Sequence, residues 1–151
     1  MILFVCTGNT CRSPLAEALC KKLLGQQLGC APEELPQRGF IVLSAGLAAL
    51  MGGKAAAEAV EVAQEYGADL SQHSSRPLTQ RLVAQADYVI GMTGSHLLAL
   101  SSHYGSAGTR FRLLSTDGED LPDPIGCERQ VYRQCAEHIL RDLQKLLPDL
   151  Q

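Results

Sequence analysis

The chain opens with an apolar run, a short polar loop and the start of a helix, in direct succession. Residues 1–5 read Met-Ile-Leu-Phe-Val, which is typical of a buried strand. Leucines at helical spacing follow Pro14, so we predict a helix over residues 14–28. A strand that enters a helix through the short segment 6–13 predicts the first unit of a parallel α/β sheet.

The rest of the chain continues to alternate strand and helix patterns. We predict loops over 29–39 and 120–126, strands over 40–44, 87–91 and 111–114, and helices over 55–66, 78–86, 95–104 and 128–147. Short apolar strands separated by helices are typical of a parallel sheet covered on both faces. With 151 residues, the chain is expected to form a single α/β domain, residues 1–151, built on a doubly wound four-stranded parallel sheet.

The segment 6–13 combines a thiol with groups that bind anions. Its sequence is Cys6-Thr-Gly-Asn-Thr-Cys-Arg12-Ser13. Backbone N–H groups that curl inward at the positive end of a helix dipole form an anion site. The same field stabilises a thiolate, so Cys6 is the predicted nucleophile, and the planar fork of Arg12 suits two oxygens of an oxyanion. The alternative is that Cys6 is a buried structural residue at a strand end. That alternative does not explain why a preceding strand, Gly8, Asn9 and the following Ser-Pro occur together with Cys6 and Arg12.

This Cys-x5-Arg-Ser spacing resembles the signature loop of the cysteine-dependent phosphatases. Placed near the start of the chain as V-C-T-G-N-T-C-R-S-P-L-A-E-A, it is similar to the low-molecular-weight protein-tyrosine phosphatase family, and the resemblance covers essentially the whole chain. It implies the phosphotyrosine phosphatase I-like fold, with strand order 2-1-3-4. It also implies a monomeric protein phosphatase that needs no cofactor, forms a phosphocysteine intermediate on phosphorylated protein substrates, and releases inorganic phosphate.

A phosphatase also needs a general acid that protonates the leaving group. The family places this acid late in the chain as an Asp followed by Pro, and Asp123-Pro124 matches. Pro124 restricts the backbone of Asp123 to extended geometry and so aims its side chain. Three nearby acidic residues lack a following proline, namely Asp117, Glu119 and Asp120. We therefore expect Cys6, Arg12 and Asp123 to be catalytic.

The other residues of segment 6–13 are expected to bind phosphate or to shape the backbone. Ser13 can hydrogen-bond the Cys6 sulfur, which stabilises the thiolate and eases its departure from phosphorus. Gly8 allows a positive φ, and Asn9 tolerates left-handed geometry. The predicted phosphate-binding set is Thr7, Gly8, Asn9, Thr10, Cys11, Arg12 and Ser13.

Residues outside segment 6–13 are predicted to hold it in place from the resemblance alone. It implies that Ser44 and His73 help to hold Asn9, although a solvated loop histidine is an equal alternative for His73. The other three histidines are expected at the surface, namely His96, His103 and His138. None of them has metal-ligand spacing with another, so we expect no metal site.

The six cysteines lie at positions 6, 11, 20, 30, 127 and 135, which is not the framework of a small secreted protein. No signal peptide is visible, so we expect a reducing, cytoplasmic location. Two thiols on one anion-binding loop can close into a disulfide on oxidation, and the resemblance favours this redox role for Cys6 and Cys11. The alternative is that Cys11 is a small residue packed beneath the loop.

Charge and hydropathy limit the partners of the chain. A formal net charge of −3 provides no basic field for nucleic acid. No apolar run approaches the ~20 residues that span a bilayer, so we expect no membrane partner.

Residues around the loop favour phosphoarginine over phosphotyrosine as the substrate. Tyrosine phosphatases of this family usually carry an aliphatic residue at the position of Thr10 and aromatic residues after the Asp-Pro pair. Here Ile125-Gly126 follow the pair, and residues 46–51 contain no aromatic ring, so a phenol has no walls to stack on. The Thr10 hydroxyl suits a polar guanidinium, and the loop C-T-G-N-T-C-R-S is similar to that of the bacterial protein-arginine phosphatases.

Three alternative functions stay open. Phosphotyrosine hydrolysis ranks second. Arsenate reduction uses the same fold and a very similar loop, but it needs further cysteines after the third strand, and residues 88–115 contain none. A non-enzymatic phosphate-binding module ranks last, because binding alone requires neither the Cys6 nucleophile nor the Asp123 acid.

Overall fold

Four parallel strands form the centre of the computed structural model, which describes residues 1–105 and 110–150. They pair in the order β2-β1-β3-β4, and their bounds are β1 Ile2–Cys6, β2 Val42–Gly46, β3 Tyr88–Gly91 and β4 Phe111–Leu113. β1 lies between two parallel neighbours, with Ile2 paired to Val42 on one side and to Tyr88 on the other. The strand order implied by the resemblance is confirmed.

Helices cover both faces of this sheet. The described residues form α1 (Arg12–Leu28), α2 (Ala57–Glu65), α3 (Gln80–Gln85), α4 (Gly94–Tyr104) and α5 (Arg129–Leu150). Alternate side chains of β1 point to opposite faces. Phe4 packs in the apolar cluster that α1, α2 and α5 share, whereas Leu3 packs in the cluster that contains Val83 of α3 and Leu100 of α4. The prediction of a single doubly wound α/β domain is therefore confirmed.

The strand and helix that flank segment 6–13 differ slightly from their predicted bounds. β1 runs through Cys6, and α1 begins at Arg12 instead of Pro14. Pro14 is therefore the third residue of the helix, where its missing N–H would have had no intrahelical partner. Since Arg12 and Ser13 belong to the first turn of α1, the helix itself fixes the direction of their side chains.

The prediction of an uninterrupted loop over residues 29–39 is wrong. Pro32–Arg38 form a 3₁₀ helix, which ends at Gly39 with φ 89°. The fixed φ of Pro32 favours the first turn, and Leu35 anchors the segment by its burial in the core. A single buried leucine gives no helical apolar stripe, so the sequence pattern carried no signal for this element.

The last helix is longer than predicted. α5 continues past residue 147 to Leu150, with Pro148 inside its final turn. Leu147 and Leu150 are both buried, and their contact with the core holds the extra residues. Gln151, the last residue of the expected domain, lies outside the described part of the chain.

Within residues 1–105 and 110–150, no helix is both long and apolar enough to cross a membrane.

Candidate active site

The Cys6 loop (residues 6–13) connects the carboxyl end of β1 to the first turn of α1. Cys11 occupies the N-cap position of α1, and no side chain caps the helix there. The unpaired N–H groups of the first turn are therefore free to bind an anion. This places the predicted nucleophile, the helix N-terminus and Arg12 at the edge of the sheet where ligands of α/β proteins bind.

Two hydrogen bonds reach the sulfur of Cys6, whose side chain is buried. The backbone N–H of Asn9 lies 3.3 Å from Sγ, and the hydroxyl oxygen of Ser13 lies 2.8 Å from it. Both groups can donate to a thiolate, which is a stronger hydrogen-bond acceptor than a thiol. The contact predicted between Ser13 and Cys6 is present.

Asn9 organises the rest of the loop. Its Nδ2 donates to the hydroxyl oxygens of Ser13 at 2.9 Å and of Ser44 at 3.0 Å. The hydroxyl of Ser44 donates its own proton to the carboxylate of Glu17 at 2.6 Å. A thiolate can only accept, so the hydroxyl of Ser13 donates to Cys6 when that sulfur is ionised. The amide of Asn9 thereby holds the Ser13 hydroxyl beside the Cys6 sulfur.

The backbone of the Cys6 loop turns at Asn9. Asn9 has φ 58°, the left-handed conformation that its side chain tolerates. Gly8 would allow a positive φ, but it does not take one here. The carbonyl of Asn9 accepts from His73 Nε2 at 2.8 Å, and its Oδ1 accepts from the Arg76 N–H at 3.0 Å. His73 is therefore bound to the loop, as the resemblance implied.

Arg12 and Asp123 meet above the loop. Arg12 is buried, and its Nη1 donates to the carbonyl of Leu121 at 3.0 Å. Its Nη2 lies 3.5 Å from Oδ2 of Asp123, whose side chain is 45% exposed. Asp123 also lines the pocket over Cys6. The three predicted catalytic residues therefore line one pocket, in which the guanidinium of Arg12 faces the carboxylate of Asp123.

The three competing carboxylates are engaged elsewhere. Asp117 pairs with Lys145 at 2.9 Å, Glu119 lies 3.8 Å from the ring of His138, and Asp120 accepts from the Gly94 N–H at 2.8 Å. None of these carboxylates lines the pocket over Cys6. Asp123 is therefore the carboxylate placed to serve a substrate held by the loop.

The mouth of this pocket is formed by small and aliphatic side chains. Thr10 and Ile125 line it, and no aromatic residue does so in the described part of the chain. On the neighbouring loop, residues 47–53, the side chains of Leu50 and Met51 are exposed. The backbone of this loop is fixed to the Cys6 loop, since Ala48 N–H donates to the Thr7 carbonyl at 2.9 Å.

Cys11 is the second thiol of the loop, and it is buried. Its sulfur lies 3.4 Å from the hydroxyl of Tyr132 in α5. Burial is the main reason why the pKa of Cys11 is raised above its ordinary value, against hydrogen bonds that lower it. Cys11 is therefore a neutral thiol at physiological pH. Cys20 and Cys135 are also buried, and desolvation raises the pKa of each to about 12.

His96 was missed by the sequence, and its predicted surface position is wrong. It is buried in the first turn of α4, and its Nε2 lies 3.1 Å from the hydroxyl oxygen of Thr7 in the Cys6 loop. One signal could have located it. His96 follows a buried strand by five residues and Thr93 by three, which places it in the first turn of a Thr-capped helix at the ligand-binding edge of the sheet.

Comparison with known proteins agrees with this geometry. Over residues 1–151, the chain matches the family described as low molecular weight phosphotyrosine protein phosphatase. It is 35% identical over 151 residues to the probable low molecular weight protein-tyrosine-phosphatase EpsP of Ralstonia nicotianae, covering 99% of this chain and 95% of that protein. It is 38% identical over 153 residues to the protein-arginine-phosphatase of Bacillus subtilis, covering 97% of this chain and 95% of that one.

A solved structure gives the same result for the fold. YwlE arginine phosphatase, in a mutant form with a phosphorylated active-site serine, superposes with a TM-score of 0.83 at 35% identity, covering 99% of this chain and 94% of that one. The chain therefore belongs to the low molecular weight phosphotyrosine protein phosphatase family. It is a protein phosphatase with a cysteine-dependent mechanism.

Proposed function

We propose that this protein removes phosphate from phosphoarginine side chains of proteins, with Cys6, Arg12 and Asp123 as its catalytic residues. The observation that carries the catalytic assignment is their convergence in one pocket, with Arg12 Nη2 3.5 Å from Asp123 Oδ2. Residues 1–151 serve as one phosphatase domain in this proposal.

In the first step, the thiolate of Cys6 attacks phosphorus in line with the leaving group. The bond between phosphorus and the guanidino nitrogen breaks as the sulfur–phosphorus bond forms, and the Asp123 carboxylic acid gives its proton to the departing nitrogen. Arg12 and the N–H groups of the loop hold the three equatorial oxygens throughout.

In the second step, water attacks the phosphocysteine. The Asp123 carboxylate takes a proton from the water, the sulfur–phosphorus bond breaks, and inorganic phosphate leaves. Ser13 eases this departure, because its proton points at the Cys6 sulfur and stabilises the thiolate that forms. The positive field of the loop and of Arg12 supplies the stabilisation that a metal ion gives in other phosphatases, so the proposed mechanism needs no cofactor.

The preference for phosphoarginine rests on the mouth of the pocket. Thr10, which carries a hydroxyl, lines the pocket over Cys6, and Ile125 is the residue that lines it after the Asp-Pro pair. A guanidino group has N–H donors that a hydroxyl oxygen can accept, whereas a phenyl ring would lie between side chains that offer no stacking surface. The 38% identity to the protein-arginine-phosphatase of Bacillus subtilis supports the same preference.

Phosphotyrosine is the second candidate substrate, because the probable protein-tyrosine-phosphatase EpsP is 35% identical to this chain. The two substrates are separated by kcat/KM on one peptide that carries either phosphoarginine or phosphotyrosine at the same position. We expect the phosphoarginine peptide to be preferred. In Thr10→Ile the ratio should move toward phosphotyrosine by about tenfold, because loss of a hydrogen-bonding group at a specificity site costs ~1–3 kcal/mol. Wild-type activity confined to phosphotyrosine would overturn the assignment.

The same proposal gives Cys11 a redox role. Peroxide would oxidise Cys6 to a sulfenic acid, and the thiol of Cys11, which lines the same pocket, would displace water to form a disulfide. Reversal of this disulfide requires a reductant, which a reducing compartment supplies. We therefore place the protein in the cytoplasm. We also propose that it acts as a monomer on phosphorylated proteins.

A further inference from the structure

One buried histidine, His96, contacts the Cys6 loop at Thr7. Nδ1 of His96 lies 3.2 Å from the backbone N–H of Met92, and its Nε2 lies 3.1 Å from Thr7 Oγ1. A backbone N–H can only donate, so Nδ1 accepts and carries no proton. The neutral ring then has its proton on Nε2, which donates to the Thr7 hydroxyl oxygen.

The protonation state of His96 is fixed by its surroundings. Burial, followed by the positive charge of Arg12, lowers the pKa of His96 to about 4, against the opposing charges of Asp120 and Asp123. The ring is therefore neutral at physiological pH, and Nδ1 stays an acceptor. The hydrogen bond to Thr7 consequently keeps one direction over the pH range in which the enzyme works.

The turn that carries His96 also holds the segment that leads to Asp123. The Gly94 N–H donates to Asp120 Oδ1 at 2.8 Å, and the Met92 carbonyl accepts from the Leu121 N–H at 3.0 Å. Residues 92–96 thus contact Thr7, next to the nucleophile, and residues 120–121, next to the acid. They form a bridge between the two halves of the site.

We propose that His96 is a positioning residue that sets the distance between the Cys6 loop and Asp123. It acts through Thr7, one residue beyond the nucleophile. The inference rests on the proposed roles of Cys6 and Asp123. When the Thr7 contact is lost, the loop shifts relative to the acid, and proton transfer to the leaving atom suffers more than phosphate binding does. Small misplacements of a catalytic group cost large factors in rate.

Two substitutions separate the two hydrogen bonds of the ring. The side chain of His96→Asn can still accept from the Met92 N–H but is too short to reach Thr7. The side chain of His96→Gln is long enough to donate to Thr7. His103→Asn is the matched control, because His103 is exposed on the same helix and bonds only the carbonyl of Ala99 within the described contacts.

The readout is kcat/KM for phenyl phosphate and for p-nitrophenyl phosphate, together with the inhibition constant for inorganic phosphate. Phenolate leaves poorly without a proton, whereas nitrophenolate needs little help. We expect His96→Asn to lose about tenfold more activity on phenyl phosphate than on p-nitrophenyl phosphate, with phosphate inhibition unchanged. We expect His96→Gln to restore the ratio and His103→Asn to leave it as in the wild type.

An equal loss on both substrates would overturn the inference, because a purely structural role reduces only the fraction of folded enzyme. If His96→Asn does not fold, Thr7→Val removes the same hydrogen bond at the exposed residue Thr7. The inference then requires that Thr7→Val changes the ratio of the two kcat/KM values in the same direction. A wild-type ratio in Thr7→Val would also overturn it. Both substrates are aryl phosphates, so the outcome does not depend on the preference between arginine and tyrosine. Wild-type protein that hydrolyses neither aryl phosphate nor the phosphoarginine peptide would instead refute the proposed function.

Discussion

At the residue scale, Asp123 is more exposed than Cys6 and Arg12, the other two residues proposed to be catalytic. Cys6 and Arg12 are buried and held by several contacts, whereas the Asp123 side chain is 45% exposed. Its carboxylate is anchored by the Ile125 N–H at 3.1 Å on one oxygen and faces Arg12 with the other. In the proposed mechanism, an incoming phosphate competes for Arg12 and so frees that second oxygen for the leaving group.

Asp123→Ala should therefore slow leaving-group departure without abolishing attack by Cys6. We expect kcat/KM for phenyl phosphate to fall by roughly 10²–10⁴-fold. The loss on p-nitrophenyl phosphate should be smaller. Asp117→Ala is the matched control, since Asp117 pairs with Lys145 at the surface. If both aryl phosphates suffered equally, Asp123 would not be the acid.

Mild peroxide should inactivate the wild-type enzyme reversibly through a Cys6–Cys11 disulfide. The neutral, buried Cys11 is protected from direct oxidation and is available to resolve a sulfenic acid on Cys6. Mass spectrometry of the oxidised peptides detects the bridge, and a thiol reductant should restore activity. Irreversible sulfinic or sulfonic acid on Cys6 of the wild-type enzyme, with no bridge, would dismiss the protective role. In Cys11→Ser we expect this irreversible product.

At the element scale, close packing of β2 against the Cys6 loop sets the position of Cys6, the proposed nucleophile. A Cβ at Gly46 would lie 2.6 Å from the Thr7 carbonyl oxygen and 2.7 Å from the Ala49 Cβ. The carbonyl belongs to the backbone and cannot rotate away. Glycine at the end of β2 is therefore needed for close approach of the chains, and the loop is positioned by a strand that is distant in sequence.

Gly46→Ala should destabilise the fold by about 1–3 kcal/mol, the usual cost of overpacking, and should lower kcat by moving the loop. Gly94→Ala is the control, because a Cβ there would meet only Asp120 Oδ1 at 3.8 Å. Denaturant unfolding and p-nitrophenyl phosphate turnover measure the two effects. Wild-type stability and turnover in Gly46→Ala would show that the loop is not held by this packing.

The elements themselves were largely predictable, since each strand is a short apolar run and helices α3 and α4 begin after threonine caps at Thr79 and Thr93. The Cys6 loop was also predictable, because its thiol, its arginine and its backbone N–H groups all lie within the consecutive residues 6–13. Pro32–Arg38 was not predicted as helical, because its order comes from one buried residue, Leu35, and from no periodic pattern.

At the scale of the whole molecule, the contacts that complete the site join distant parts of the chain. His96 lies 89 positions from Thr7, and His73 lies 64 positions from Asn9. A single sequence carries no record of such pairs, so His96 was expected at the surface and His73 was assigned by resemblance alone. The carboxylate Glu17, which accepts from Ser44, escaped notice because it sits within an ordinary helical pattern.

The buried neutral His96 should make stability depend on pH. Below its ordinary pKa of 6.5 the unfolded chain binds a proton that the folded protein does not take up until about pH 4. Stability contributed by the neutral ring is therefore lost as pH falls from about 6.5 to 4, by up to about 3 kcal/mol. Denaturant unfolding of wild type and His96→Gln at several pH values isolates this effect. A parallel pH dependence of the two proteins would contradict the neutral state of His96.

In the proposed mechanism, Cys6 forms the bond to phosphorus while the loop around it binds phosphate. Cys6→Ser separates these two roles, because a serine hydroxyl is a far weaker nucleophile at neutral pH and the loop N–H groups and Arg12 remain. The direct measurement is turnover of a phosphoarginine peptide by Cys6→Ser, with phosphate binding by calorimetry on the same sample. We predict turnover below ~1% of wild type with phosphate binding retained. Turnover above that level in a folded, phosphate-binding Cys6→Ser protein would contradict the account.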